Sequence, residues 1–224
     1  MTTFCPTDLQ HLINCTKQNV GQIGLDTLIG KYLYHCAQNP LLYNYLEIGT
    51  WNGLGSTKCI VDGLLSRDDI NYKFYSLECN PDKVKLAQEY YKDIKNVYIL
   101  NEVLLNNMPS DIEEIFPELK FNEKYKFWNK VDFDNMKDKL LFFNRTNLPE
   151  IFDIILLDGG EFTTYYEYQI IKNRCKILIL DDTNVNKCAK IVQDIKSHPE
   201  KWSIISESNE RNGTLIASNN QLCI

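Results

Sequence analysis

The chain has 224 residues, 44% hydrophobic and 24% charged, which suits one sizeable core and excludes a low-hydrophobicity disordered chain. Its formal net charge of -6 argues against holding nucleic acid mainly by phosphate neutralisation, which needs a concentrated basic surface. No window approaches the ~18 apolar residues of a membrane span, and the N-terminus lacks the basic-then-apolar order of a secretory leader, so no membrane partner is expected.

A single cytoplasmic domain over 1–224 is the expectation. Abundant Asn, Lys, Ile and Tyr match translation of an AT-rich genome, bacterial, parasitic or viral, and a viral protein would work in the host cytoplasm. The eight cysteines (5, 15, 36, 59, 79, 175, 188, 223) form no CxxC pair, so they read as reduced thiols, several of them inside apolar runs. His11, His35 and His198 share no ligand spacing and are assigned to surface or packing.

Residues 1–40 carry a helical spacing, with Leu9, Leu12, Ile13, Ile23, Leu25, Leu28, Ile29 and Leu33 as the expected buried positions. A first strand runs from Tyr43 to Ile48 and is followed by a glycine-bearing turn, Glu47 to Ser56 (EIGTWNGLGS), and a helix from about Ser56 to Leu65. Gly49 and Gly53 let backbone approach a ligand, and an acid just before such a turn can orient a cationic group. A structural carboxylate in an ordinary strand-to-helix turn is the alternative. The second strand, Lys73 to Leu77, ends in Glu78. A carboxylate here, roughly 30 residues past the turn, stands where doubly wound folds accept hydrogen bonds from ribose hydroxyls; an acid at the start of the helix that follows is the alternative. Asn80-Pro81 then opens a helix.

A third strand, Val97 to Leu100, precedes Asn101 and Glu102. The segment 106–149 is too long for a structureless loop, and reads as an insertion with short helices that could cover a substrate. A fourth strand, Phe152 to Leu157, ends at Asp158-Gly159-Gly160-Glu161, and a fifth, Ile177 to Leu180, at Asp181-Asp182. Trp202 to Ser206 and Thr214 to Ala217 would pair as a hairpin, putting one antiparallel strand into a parallel sheet. Strands alternating with helices predict an α/β fold with helices on both faces.

The succession EIGTWNGLGS, YSLECNPDKVKLAQEY, LLDGG and LILDD resembles the strand ends of a class I S-adenosylmethionine-dependent methyltransferase. The resemblance implies a Rossmann-like, doubly wound, seven-stranded sheet whose last strand is antiparallel. It implies that Glu47 and the turn (Gly49, Thr50, Trp51, Asn52, Gly53, Ser56) hold the methionine part of S-adenosyl-L-methionine, with Asp158 also at the cofactor. Glu78 would hold the ribose, and Asn101 and Glu102 would border the adenine. Trp51 stands where the family commonly has glycine. The GxGxxG spacing of nicotinamide dehydrogenases is absent.

Asp158, Asp181 and Asp182 each end a strand. Converging carboxylates repel unless a proton or a cation neutralises them, and all-oxygen donors suit Mg2+ or another divalent ion. Caps of the following helices are the plainer reading. The pattern is similar to the metal-dependent O-methyltransferases of the catechol and macrocin types, which implies Mg2+ at these three aspartates and a hydroxyl acceptor such as a sugar. Glu161 stands where related enzymes carry a histidine base, so it is a candidate general base as well as an ordinary helix-start acid. Asn184 reads as a turn residue. Tyr165, Tyr166, Tyr168, Phe127, Trp128, Phe133, Phe142 and Phe143 could wall an acceptor pocket or belong to the core. A metal-independent methyltransferase and a catalytically silent binding subunit are the competing functions, and the sequence leaves homo-oligomerisation open.

Overall fold

The computed structural model describes residues 22–222, so Leu9, Leu12, Ile13, His11, Cys5, Cys15 and Cys223 lie outside the described residues. In chain order the elements are α1 (Leu28–Gln38), β1 (Asn44–Ile48), α2 (Ser56–Leu65), β2 (Lys73–Leu77), α3 (Pro81–Tyr91), β3 (Val97–Leu100) and β4 (Glu102–Val103). They continue with α4 (Ile112–Ile115), α5 (Glu123–Met136), β5 (Leu140–Leu141), β6 (Phe152–Leu157), α6 (Thr164–Ile171), β7 (Cys175–Asp181), α7 (Asn186–Ser197), β8 (Trp202–Ser208) and β9 (Thr214–Asn219).

Seven strands form one sheet in the order β3-β2-β1-β6-β7-β9-β8. The first five are mutually parallel, and β9 runs antiparallel to both β7 and β8. The period-two alternation of strand side chains sorts the core onto two faces. Leu46, Ile48, Ile155, Leu157, Leu178 and Leu180 meet Tyr168, Ile171, Cys188, Ile191 and Ile195 from α6 and α7 on one face. Tyr45, Phe74, Ile154, Leu156, Ile179 and Ile216 meet α1, α2 and α3 on the other. Within the described N-terminal part, Ile23, Ile29 and Leu33 are buried as expected, whereas Leu25 and Leu28 are exposed.

The cap signals act as read. Asn80 accepts from the backbone N–H groups of Asp82 (3.0 Å) and Lys83 (3.3 Å), with Pro81 in the first turn of α3. Segment 106–149 holds α4, α5 and a satellite core of Ile112, Phe116, Leu119 and Phe133 closed by Phe162. β4 and β5, two strands with no sequence signature, pair in parallel, Glu102 with Leu140 and Val103 with Leu141, which fastens the far end of the insertion beside the main sheet.

Register fixes where the strand ends lie. Ile48 is level with Leu77 and Leu157, and Leu157 with Leu180. The residues that follow these positions therefore emerge along one carboxyl edge, which is where open α/β sheets bind ligands. Among the described residues no helix is long and apolar enough to cross a membrane.

Candidate functional site

A cavity of about 570 Å³ opens at that edge, within the range of cofactor and small-ligand sites. Gly49 and Trp51 from the β1 turn, Glu78 to Asn80 after β2, Glu102 to Leu104, Asp158 to Gly160, and Asp182, Lys187 and Arg211 line it. Asp132, Asn135 and Met136 of α5 complete the wall. The insertion therefore borders the cavity.

The turn after β1 is built on Glu47, which is fully buried. Its carboxylate accepts from Ser56 Oγ (2.5 Å), Thr57 Oγ1 (2.6 Å) and Ser76 Oγ, and Thr50 Oγ1 in turn contacts Ser76. Burial pushes the Glu47 carboxyl up to about 7 against the three hydroxyl groups, which favour its charged form. Gly49 and Trp51 line the cavity, whereas Glu47, Thr50, Asn52, Gly53 and Ser56 do not and instead shape the turn. Gly49 has φ +98, and a Cβ there would stand 2.1 Å from the carbonyl oxygen of Asp158, so the β1 and β6 turns pack backbone to backbone.

Trp51 takes a left-handed φ of +51, and its backbone N–H donates to Glu78 Oε2 at 2.8 Å. That bond gives a physical reason for the path of the turn at Trp51. The indole is half exposed and carries Lys83 Nζ 3.9 Å from its centre. Glu78 Oε1 accepts from the N–H of Asn80 at 2.8 Å and from Cys79 Sγ at 3.6 Å, so Oε2, with the Trp51 N–H as its one donor, keeps a lone pair for a ligand. Burial raises the Glu78 carboxyl above its usual range.

Asn101 and Glu102 sit beside the site in different ways. The Asn101 amide donates to the carbonyls of Glu78 (2.8 Å) and Cys79 (3.1 Å) and accepts from Lys139 Nζ (2.6 Å), so it braces the loop. Glu102 lines the cavity but is clamped by Arg145 through contacts of 2.5–2.9 Å.

The three aspartates converge. One oxygen from each of Asp158, Asp181 and Asp182 lies within 4.8 Å of the other two. Asp181 is fully buried and its Oδ1 has no hydrogen-bond partner, while its Oδ2 accepts from Arg211 at 3.1 Å. An all-oxygen donor set with an orphaned buried oxygen fits a hard divalent cation. Within the cluster stands a residue that sequence reasoning missed. Lys187 Nζ lies 2.7 Å from Asp158 Oδ1 and 2.6 Å from Asp182 Oδ2. Burial works against its charge, but the two carboxylates outweigh burial and hold the ammonium above its ordinary range. Asp182, with φ +59, also accepts from Asn212 Nδ2 at 2.9 Å, so the β8–β9 turn supplies both Arg211 and Asn212.

Glu161 does not line the cavity. Its carboxylate takes the backbone N–H groups of Asn186 and Lys187, at a helix whose own N-cap, Val185, offers no side-chain acceptor. This is the helix-start role, exercised on α7 and not on the helix that follows Glu161 in sequence. Asn184 forms turn contacts, its backbone N–H donating to the Asn212 carbonyl at 2.8 Å.

A second acid pair was also unforeseen. Glu167, 4% exposed, has an unpartnered Oε2 and faces the cavity with Asp132. Burial and the Asp132 charge push Glu167 up to about 8; burial, Glu78 and Glu161 push Asp132 up to about 6. A carboxyl raised on folding contributes stability that is fully present below its ordinary value of 4.5 and is lost as pH rises to about 8. Glu167→Gln will therefore stabilise the fold near pH ~9 by on the order of 2–4 kcal/mol, raising the melting temperature by roughly 5–15 °C, and will leave it nearly unchanged near pH ~4.5. Thermal melts at the two pH values check this, and an equal shift at both would contradict it.

The aromatic residues considered for the pocket belong elsewhere. Tyr168 is buried and donates to Asp194 (2.6 Å), Phe142 packs 5.4 Å from Tyr75, and Tyr165 packs 6.1 Å from Phe116. Phe127 is exposed. Trp51 is the one aromatic among the described lining residues.

Comparison of the whole chain places this architecture. No protein-family model and no curated protein sequence matches it. Solved structures do. An O-methyltransferase from Bacillus cereus in complex with SAH is 13% identical with a TM-score of 0.58, over 98% of this chain and 93% of that one. The SAH-bound Podospora anserina methyltransferase PaMTH1 is 13% identical with a TM-score of 0.57, over 96% and 88%. The O-methyltransferase TomG from Streptomyces achromogenes, in complex with SAM, is 10% identical with a TM-score of 0.56, over 98% and 92%. The chain has the Rossmann-like fold of the class I methyltransferases, with the seven strands and antiparallel last strand that the resemblance implied.

Proposed function

We propose that the protein is an S-adenosyl-L-methionine-dependent methyltransferase that methylates a hydroxyl of a small molecule, a sugar in particular, with a divalent cation such as Mg2+ held by Asp158, Asp181 and Asp182. The observation that carries this reading is the opening of the Gly49–Trp51 turn, Glu78, Asp158 and Asp182 onto one cavity, with Asp181 converging on the two aspartates from behind. Structures of the same fold that hold SAH or SAM support the cofactor, and two of them are O-methyltransferases.

In this reading Glu78 accepts from the ribose hydroxyls through Oε2, and the closely packed turns at Gly49 and Asp158 receive the methionine end. Glu47 acts indirectly, by holding Ser56, Thr57 and Ser76 so that the turn keeps its path. Asn101 braces the β2 loop on the adenine side, which Glu102 and Leu104 border. Asp158 lies between this side and Asp182 and is the carboxylate we place at the reacting groups. Glu161 positions Lys187 through the first turn of α7. The cofactor supplies a methyl group on a sulfonium, and a bound divalent cation would lower the pKa of the acceptor hydroxyl. The protein contributes alignment for in-line transfer and a wall from α5 that limits water.

Methyl transfer without a metal is the second reading, favoured by the ammonium of Lys187 against Asp158 and Asp182. Release of S-adenosylhomocysteine from S-adenosylmethionine, measured over a panel of sugars and other small hydroxylated acceptors with and without EDTA, separates the two. EDTA and Asp181→Ala are each expected to lower turnover by roughly 100-fold or more while cofactor binding persists. Turnover indifferent to EDTA would remove the cation and leave the methyltransferase.

A further inference from the structure

Lys187 is in an unusual place for a lysine. It stands in the first turn of α7, where the helix dipole disfavours a cation, and it is 8% exposed. Two carboxylates overcome both penalties. Its Nζ lies 2.7 Å from Asp158 Oδ1 and 2.6 Å from Asp182 Oδ2, two of the three residues that converge for a divalent ion. Arg211 reaches the third, Asp181, through Oδ2 alone. Three carboxylates thus meet two cations, and Asp181 Oδ1 is left buried and without a partner.

A divalent ion coordinated by these carboxylates and an ammonium bonded to two of them cannot share the cluster without strong repulsion in so enclosed a setting. Lys187 also has somewhere to go, since its side chain already lines the open cavity beside Asp182.

We propose that Lys187 is a tethered counter-cation that holds the divalent ion's place among Asp158, Asp181 and Asp182, so that the ion binds by exchange. The ammonium leaves the carboxylates as the ion arrives and turns into the cavity. The inference rests on the divalent-cation reading given above. It adds that apparent metal affinity is set by competition with a residue of the chain itself, because a group already satisfied must be displaced before the ion gains its ligands.

Mn2+ binding to the full chain, followed by electron paramagnetic resonance of the free ion, tests this without any acceptor. Lys187→Gln is expected to bind Mn2+ roughly tenfold or more tightly than the wild type, and Lys187→Arg, which keeps the tethered charge, to remain close to the wild type. Equal affinity in the wild type and Lys187→Gln overturns the exchange and leaves the metal reading standing. No binding by either overturns both.

A second measurement covers the case in which Lys187→Gln fails to fold. Amine-reactive labelling of the wild-type protein, read by mass spectrometry, should modify Lys187 slowly without Mn2+ and several-fold faster with it, as the side chain leaves its ion pairs. Labelling unchanged at high Mn2+ overturns the proposal.

Discussion

Glu78→Ala is expected to lower the affinity for S-adenosylhomocysteine by roughly 10- to 100-fold, since each hydrogen bond to a charged group contributes about 1.5–3 kcal/mol. The fold should tolerate the change. The carboxylate is buried and its charge costs stability, so its loss offsets part of what the bonds to Trp51 N (2.8 Å) and Asn80 N (2.8 Å) contribute. The variant should therefore melt within a few degrees of the wild type while binding far less ligand. Glu78→Gln keeps one acceptor and should fall between the two. Calorimetric titration alongside a thermal melt reads both quantities; affinity unchanged in Glu78→Ala would remove the ribose contact.

Gly49→Ala is the second large effect. Its Cβ would lie 2.1 Å from the Asp158 carbonyl oxygen and 2.6 Å from the carbonyl carbon, in a backbone with φ +98. Neither partner is a flexible side-chain tip, so the β1 and β6 turns must separate. Strain and overpacking together cost about 3–5 kcal/mol, or roughly 6–20 °C of melting temperature for a chain of this size. Cofactor binding should fall with it, because the same two turns form that wall. Gly160 offers a contrast. A Cβ there meets Asp132 Oδ2 at 2.5 Å and Thr163 Oγ1 at 2.8 Å, both side-chain ends that can rotate, so Gly160→Ala should cost far less. A Gly49→Ala protein as stable as Gly160→Ala would contradict the close approach of the two turns.

The fold was legible because its signals are local. Apolar runs such as Ile154 to Leu157, in a strand whose six residues are all buried, fit strands covered on both faces, and Asn80-Pro81 marks its own helix start. The strand-end acids were legible for the same reason: a strand's last residue and its register decide where a side chain emerges. What was hidden depends on distant pairings. Lys187 meets Asp158 across 29 residues, and Arg211 meets Asp181 across 30, with no spacing rule to join them. Glu161 was read against the helix beside it in sequence, yet its carboxylate serves α7. The β4–β5 pair spans two residues on each side, too short for any alternation to show. Glu47 looked like a ligand contact. Ser56, Thr57 and Ser76 around it were the available signal, since hydroxyl groups packed beside a fully buried acid must be paired with it.

The central claim is that the cavity at the carboxyl edge of β1, β2 and β6 is a nucleoside-cofactor site. Equilibrium dialysis of labelled S-adenosylhomocysteine against the full chain tests it most directly, with Glu78→Ala as the control. Saturable binding of one ligand per chain, with a dissociation constant in the roughly micromolar range and a marked loss in Glu78→Ala, is the expected result. No saturable binding at millimolar ligand by a folded wild-type protein would contradict the account.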